Sequence, residues 1–275
     1  MGVTVSDIIS CLDEIAPFAM AESWDNVGLI VGDRGREVRT ILVGLDPTNR
    51  LLEEAADRGA DTVVTHHPAI FKPIPSIDTA DVMGKMLETA LNNRLNLIAC
   101  HTNFDAVSHG VNDALASLLE LSALEPLVPA GPGSPEGTGM GRIGRYSPAR
   151  KRGEFIECLL GVLQLPSVQM AGILPESIST VALCGGSGSD LAEAAFRRGA
   201  DVYISAEIKR NIACWTEESG FCVIDGTHYA TEKPAMRLLV EQLEAYSLDH
   251  AWKIEVFETK TEHHPFSVVD THRYR

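Results

Sequence analysis

The chain matches itself at an offset of 140 residues, and this repeat limits the folds that it can adopt. The segment 40–61 aligns without gaps with the segment 180–201, and both end in Arg-Gly-Ala-Asp. Each copy has a β-branched run, an Ala/Glu/Leu-rich amphipathic stretch, a glycine and a second apolar run, an order that predicts strand, helix and strand. Two such units predict two similar α/β halves, each with parallel strands and a right-handed crossover.

We place the first half at 1–128 and the second at 129–275. The segment 129–153 is rich in Pro, Gly, Ser and Arg, which predicts a linker or mobile loop. It contains Gly139-Met-Gly-Arg-Ile-Gly144, a formal GxGxxG pattern. A dinucleotide fingerprint follows a strand and opens a helix, and neither flank fits that context, so we reject a Rossmann site. For Arg142 we favour a solvated loop position over a role as a ligand of a substrate phosphate.

The composition narrows the partners and the compartment. The chain has 23 basic and 38 acidic residues and a net charge of −15, which disfavours sequence-independent binding to nucleic acid. The six cysteines show no CxxC spacing, as expected in a reducing cytoplasm. No apolar run approaches the roughly 20 residues of a membrane span, and the first residues do not resemble a signal peptide. We therefore expect a cytoplasmic globular protein.

Three short apolar runs lead into histidine: the first into the pair His66-His67, and the other two into a histidine with a carboxylate four residues later. Ligands of open α/β sheets bind beyond the carboxyl ends of strands, so these residues are expected to meet. The predicted cluster consists of His66 and His67, of His101 with Asp105, and of His228 with Glu232. A cluster of three strand ends indicates a metal site more strongly than any one motif would.

The His66-His67 pair is not required by the repeated scaffold. At the matching positions the second copy has Ala206 and Glu207, so the repeat preserves the fold while the residue chemistry differs. Pro68 follows the pair and forces the strand to end, which lets both imidazoles face one cavity.

Histidine and carboxylate ligands together suit Zn, Fe(II), Mn or Ni rather than Ca. Two such ions could activate a bridging water as hydroxide and polarise a substrate oxygen. Glu232 is expected in the first turn of a helix that runs through Pro234 to Leu243. Three roles remain open for His101: metal ligand, partner of a ligand, or proton shuttle. His109 is expected in a loop before a helix over 110–121, and His263-His264 in a tail.

Four motifs in this order resemble one family, the GTP cyclohydrolase I type 2 homologs, also called Nif-three-like dinuclear metal-centre hexameric proteins. The resemblance covers nearly the whole chain, from about residue 5 to residue 269. The motifs are Glu22-Ser-Trp-Asp-Asn-Val-Gly-Leu29, Thr65-His-His-Pro-Ala-Ile-Phe-Lys-Pro73, His101-Thr-Asn-Phe-Asp105 and Gly226-Thr-His-Tyr-Ala-Thr-Glu232.

The resemblance implies two similar α/β subdomains, a toroidal homohexamer and two divalent metal ions per subunit. It also implies that 139–144 lies at the start of the second domain, and it places His101 beside the site. One departure is visible at Arg210 and Asn211, where related sequences carry an aromatic residue or His and then His. The metal ligands that the resemblance implies are His66, His67, Asp105, His228 and Glu232.

We expect a dinuclear metal-dependent hydrolase in which activated water attacks a nucleotide, another phosphate ester or a cyclic amide. His101 is the candidate general acid or base. The candidate phosphate-binding residues are Lys72, Arg142, Lys209 and Lys233. The alternative is a non-catalytic metal-binding ring that acts as a metal chaperone or binds protein or DNA, and the net charge places it second.

Overall fold

A computed structural model of the protein describes residues 2–268. Its strands in chain order are β1 (Gly28–Val31), β2 (Thr40–Gly44), β3 (Thr62–Thr65), β4 (Asn96–Ala99), β5 (Ser122–Pro129), β6 (Gly139–Lys151), β7 (Gln169–Gly172), β8 (Ser177–Ser187), β9 (Val202–Ala206), β10 (Cys222–Asp225) and β11 (Glu255–Glu258). Its α-helices are α1 (Val5–Ile15), α2 (Asn49–Asp57), α3 (Val82–Asn92), α4 (Thr102–Ala106), α5 (Val111–Leu118), α6 (Arg152–Leu163), α7 (Ala192–Arg197), α8 (Arg210–Ser219), α9 (His228–Glu232) and α10 (Pro234–Asp249). Short 3-10 helices span Phe18–Met20 and Ser189–Leu191.

The first sheet has the strand order β1-β4-β3-β2-β11. Strands β4, β3, β2 and β11 are parallel, and β1 pairs with β4 in the antiparallel direction. Strands β3 and β4 are buried along their whole length, as expected for parallel strands with helices on both faces. One core contains buried residues of α1 and α10, and the other contains those of α2 and α3.

The second sheet has the strand order β5-β6-β8-β9-β10-β7. Its centre, β8, β9 and β10, is parallel, and the strands outside it are antiparallel to their neighbours. Helix α6 packs into one core of this sheet, whereas α7 and α8 contribute to the other. The predicted α/β class with two sheets is confirmed.

The two segments that match in sequence pair in the same way. Strand β2 pairs with β3 through Ile41 and Thr62, and β8 pairs with β9 through Val181 and Val202, both at the 140-residue offset. The aspartates that end the two segments also accept equivalent hydrogen bonds. Asp61 accepts the backbone N–H groups of residues 39 and 40, and Asp201 accepts those of residues 179 and 180.

The prediction that 129–153 forms a linker is wrong for its second part, because residues 139–151 form β6 between β5 and β8. Its glycines permit close strand contact. A Cβ on Gly139 would lie 2.3 Å from the Val128 carbonyl oxygen, and a Cβ on Gly141 would lie 2.7 Å from that of Leu183. Glycine is therefore required here for packing, although the same composition is typical of loops.

The chain returns to the first sheet after it has built the second. Helix α10 packs with α1 in the first core, and β11 pairs with β2. The division into 1–128 and 129–275 stays a prediction, and residues 269–275 lie outside the described part. Within residues 2–268, no helix combines the length and apolar character that crossing a bilayer would require.

Candidate metal centre

The predicted ligand residues come from the carboxyl ends of parallel strands in both sheets. His66 and His67 follow β3, and Asp105 lies in α4 directly after β4. His228 and Glu232 are the first and last residues of α9, which follows β10. The helix prediction placed Glu232 in the first turn of the longer helix. Instead it ends α9, and α10 begins two residues later at a proline, which has no N–H to continue the hydrogen bonds.

Four histidines of the site have their Nδ1 atoms bonded to acceptors. The pairs are His66 with the Cys100 carbonyl oxygen (2.9 Å), His67 with Asp46 (2.8 Å), His101 with Asp25 (2.9 Å) and His228 with Glu207 (2.9 Å). Because these oxygens only accept, each Nδ1 donates its proton, which leaves Nε2 as the atom that binds either a second proton or a metal ion. This arrangement is typical of metal-binding histidines.

The Nε2 atoms converge on two carboxylates. Glu232 lies centrally, with its Oε1 atom 3.0 Å from His228 Nε2 and its Oε2 atom 3.3 Å from His67 Nε2. The Nε2 atom of His66 is 3.6 Å from Asp105 Oδ1 and 3.7 Å from Glu232 Oε1. The structure therefore brings together all five residues that were predicted as ligands.

Three buried atoms at the centre of this cluster have no hydrogen-bond partner: His66 Nε2, Asp105 Oδ1 and Glu232 Oε2. Buried polar atoms are rarely left unpaired, because desolvation is costly. A divalent cation would satisfy all three, and the donor set fits one. Two overlapping groups offer ligand atoms within 4.8 Å of one another, namely His66, His67 and His101, and His67, His228 and Glu232.

Burial and the neighbouring charges shift the pKa values of the cluster in opposite directions. Burial acts to lower the pKa of His67, but the hydrogen bond to Asp46 and the negative charge of Glu232 outweigh it and raise the pKa to about 10. The hydrogen bond to Glu232 raises the pKa of His228 to about 9. Burial raises the pKa of Asp105. Without a cation the imidazoles thus hold protons, which a metal would have to displace.

His101 occupies the edge of the cluster with its own carboxylate partner. Burial opposes ionisation of Asp25, but hydrogen bonds from His101 and Thr102 lower its pKa far below the usual value. The rings of Trp24 and Phe71 each lie 6.2 Å from the His101 ring. Both aromatic side chains are exposed, at 57% and 43%, so they flank the solvent side of the site.

Sequence reasoning missed the three carboxylates that orient the histidines. Asp46 lies just beyond the end of β2, so the strand-end argument could have found it. Glu207 occupies the position that matches His67 in the repeat, and it bonds to His228. Both positions of this match therefore contribute to the site, His67 as a candidate ligand and Glu207 as the acceptor for His228. Asp25 belongs to a motif with no strand signal, so no pattern predicted its partner.

The expectation that Arg142 lies in a solvated loop is wrong. Its side chain is 2% exposed and forms an ion pair with Asp113. Its Nη2 atom also donates to the Val107 carbonyl oxygen at 2.6 Å, just beyond the helix that carries Asp105. Since its Nη1 atom donates to two further backbone carbonyls, Arg142 is not available for a substrate phosphate.

The other candidate phosphate ligands differ in availability. Lys209 pairs with Asp190 at 2.6 Å, and Lys233 pairs with Glu262 at 2.7 Å. Lys72 is exposed, and the described part of the chain offers it no ion-pair partner. Of these three lysines, Lys72 has the most freedom to meet an anion.

The remaining predictions concern residues near the edge of the site. His109 precedes α5 in a left-handed conformation, in agreement with the expected loop. Arg210 and Asn211 open α8 and are exposed. The prediction that His264 belongs to a tail apart from the site is wrong. Its Nε2 atom lies 3.0 Å from the hydroxyl oxygen of Thr227, the residue before His228.

The fold and the site together define a two-sheet α/β protein with a candidate histidine-carboxylate metal centre. The family Duf34/NIF3 (NGG1p interacting factor 3) matches residues 3–265, and the chain belongs to this family. The predicted resemblance is therefore confirmed.

A relative from Streptomyces coelicolor named "GTP cyclohydrolase 1 type 2 homolog" is 33% identical, with 96% of this chain and 93% of the relative covered. A crystal structure of a hypothetical protein from Staphylococcus aureus has a TM-score of 0.90 at 28% identity, covering 98% of this chain and 100% of that one. A Bacillus cereus protein related to NIF3 has a TM-score of 0.91 at 22% identity, covering 98% and 100%, and this likeness shows the fold alone.

Proposed function

We propose that this protein is a dinuclear metal-dependent hydrolase of small molecules. The observation that carries the proposal is the set of Nε2 atoms, each freed by an acceptor on Nδ1, around buried carboxylate oxygens without partners. The Nε2 atoms of His66, His67 and His228 and the carboxylates of Asp105 and Glu232 offer more ligand atoms than the four that a single zinc ion usually takes, which supports two adjacent ions. The residues that would hold them are His66, His67, Asp105, His228 and Glu232.

Bound divalent ions would act as Lewis acids and lower the pKa of water. The residues of this chain supply the rest. Asp46 and Glu207 fix the rings of His67 and His228, so that their Nε2 atoms face the centre. In this proposal His101 takes up and returns a proton, and its hydrogen bond to Asp25 fixes the orientation of its ring.

The open side of the site suggests the kind of substrate. Trp24 and Phe71 flank this side, and exposed Lys72 follows Phe71 directly, so a phosphate-bearing molecule with an apolar or planar part suits it. Relatives bear the name GTP cyclohydrolase 1 type 2 homolog, so purine nucleotides head the panel of test substrates. We also propose a cytoplasmic toroidal homohexamer, and sedimentation analysis of the purified protein would test that assembly.

The decisive experiment measures bound metal and turnover in the same samples. Purified protein is loaded with Zn, Mn, Fe or Ni and assayed on nucleotides, phosphate esters and cyclic amides. Glu232→Gln should abolish turnover and lower the metal content, whereas His250→Ala, at an exposed histidine at the end of α10, should match the wild type. Metal binding without turnover on every substrate would reject the hydrolase and favour the metal-holding ring.

A further inference from the structure

The segment from Thr259 to His264 follows β11 and is anchored along its length to the first sheet. The Thr259 N–H donates to the Val43 carbonyl oxygen at 2.9 Å, continuing the pairing of β11 with β2. Both Thr259 and Thr261 donate hydroxyl groups to the carboxylate of Glu54 in α2. The segment is therefore held at a defined position rather than lying loosely on the surface.

Glu262 uses this position to join two parts of the metal centre. Its side chain is 6% exposed, and its Oε1 atom accepts the backbone N–H groups of Leu45 (2.6 Å) and Asp46 (3.0 Å). Its Oε2 atom lies 2.7 Å from Lys233 Nζ, and Lys233 directly follows the ligand Glu232. One carboxylate thus bonds the end of β2 and the junction of α9 and α10.

Both contacts lead to residues of the site. Asp46, held by Glu262 through its backbone, bonds to Nδ1 of His67 through its side chain at 2.8 Å. Two residues further along the segment, His264 bonds to Thr227, which has a φ of 63° and directly precedes His228. A non-glycine residue in this conformation needs support from its surroundings.

We propose that the segment Thr259–His264 is a clamp for the metal centre, with Glu262 as its central positioning residue. The clamp holds the Asp46 loop so that His67 keeps its orientation, and it ties this loop to the helix junction beside Glu232. This inference rests on the proposed metal centre, but it concerns metal retention and not hydrolysis. Loss of partners behind a ligand usually lowers metal affinity about 10- to 100-fold.

The test compares substitutions of the two glutamates that contact Lys233. Glu262→Ala removes the acceptor of both N–H groups, and we expect affinity for Zn²⁺, measured against a chelator, to fall at least about tenfold. Glu262→Gln keeps an acceptor oxygen and should stay within about threefold of wild type. Glu258→Gln is the matched control, because Glu258 also pairs with Lys233 (2.9 Å) but bonds neither N–H group.

Hydrogen exchange provides a second readout that does not depend on metal. The amides of Leu45 and Asp46 should exchange faster in Glu262→Ala, while amides of β3 keep their protection. Equal affinity in Glu262→Ala and Glu258→Gln, or equal loss in Glu262→Ala and Glu262→Gln, would overturn the clamp. If Glu262→Ala does not fold, Asp46→Ala removes the acceptor of His67 Nδ1 at a side chain with 44% exposure, and unchanged affinity for Zn²⁺ in this variant would contradict the clamp.

The outcomes for the two proposals are separable. Wild-type protein that binds metal but has no turnover contradicts the hydrolase and leaves the clamp open to the affinity comparison. Wild-type protein that binds no metal contradicts both.

Discussion

The buried ion pair of Arg142 and Asp113 gives a sharp prediction about the region between the sheets. The guanidinium of Arg142 is 2% exposed and Asp113 is 14% exposed, so Asp113→Asn leaves a buried cation without its counter-charge. Removing one partner of a buried pair usually costs about 3–5 kcal/mol. Because three carbonyl bonds to the guanidinium remain, we expect a loss near the lower end, about 3 kcal/mol in the free energy of unfolding.

Urea denaturation followed by circular dichroism, at one fixed protein concentration, measures this loss. Arg142→Met should cost a similar amount, since three backbone carbonyls lose a donor at about 1 kcal/mol each. The double variant Arg142→Met/Asp113→Asn leaves no lone charge, so its loss should fall well below the sum of the single losses. Glu120→Gln is the control, because the Glu120 side chain is 71% exposed and its pair with Arg150 should contribute less than about 1 kcal/mol.

A loss below about 1 kcal/mol in Asp113→Asn, or simple additivity in the double variant, would refute this account of Arg142. The stability measurement also tests the alternative in which Arg142 binds a substrate phosphate. A phosphate-binding arginine would leave stability almost unchanged when substituted and would weaken binding of phosphate-bearing ligands. The structural role predicts the opposite outcome.

Two further predictions concern Gly186, which lies beside Glu232, and Glu54, which holds the clamp. Gly186→Ala places a Cβ 2.1 Å from Glu232 Oε1, whereas Gly59→Ala, at a similar φ, meets nothing within 4 Å. In both variants, backbone strain should lower the free energy of unfolding by about 1 kcal/mol. Only Gly186→Ala should lose metal on dialysis. Equal metal contents in the two variants would contradict the central position of Glu232 in the site. In Glu54, burial opposes ionisation, but hydrogen bonds from the clamp lower the pKa from 4.5 to about 2. The stabilising effect of the Glu54 carboxylate is fully present above pH 4.5. Glu54→Gln should therefore lower the free energy of unfolding by about 2 kcal/mol at pH 7 and by progressively less below pH 4.5. A loss that denaturation curves show to be independent of pH would contradict this explanation.

The sequence predicted the parts of the fold that local patterns encode. The runs that became β2, β3, β8 and β9 are short, apolar and bounded by glycine or polar residues, so their strands could be assigned directly. Strand β6 could not, because its glycines are required by contacts with β5 and β8 that no local pattern reveals. Strand β11 pairs with β2 across most of the chain, and long-range pairing of this kind is likewise absent from local periodicity.

For the site, the positions of the histidines at strand ends predicted that they would meet, since parallel strands place their carboxyl ends along one edge. The carboxylates that accept hydrogen bonds from these histidines were harder to predict. Asp46 and Glu207 also follow strands, but a single carboxylate after a strand is common, and only geometry shows that it faces an imidazole. The role of Glu262 depends on its backbone partners, which have no sequence signal at all.

The return of the chain to its first sheet has a consequence for how the protein is made. Leu45 and Glu262, which bond directly, are separated by 217 residues. During synthesis, one edge of β2 stays unpaired until β11 emerges from the ribosome. Unpaired strand edges can pair with other chains. A metal ion in the proposed centre could not template early folding of the first sheet, since Glu232 is not yet synthesised when His66 and His67 emerge. The proposed centre would therefore be loaded with metal only at the end of synthesis.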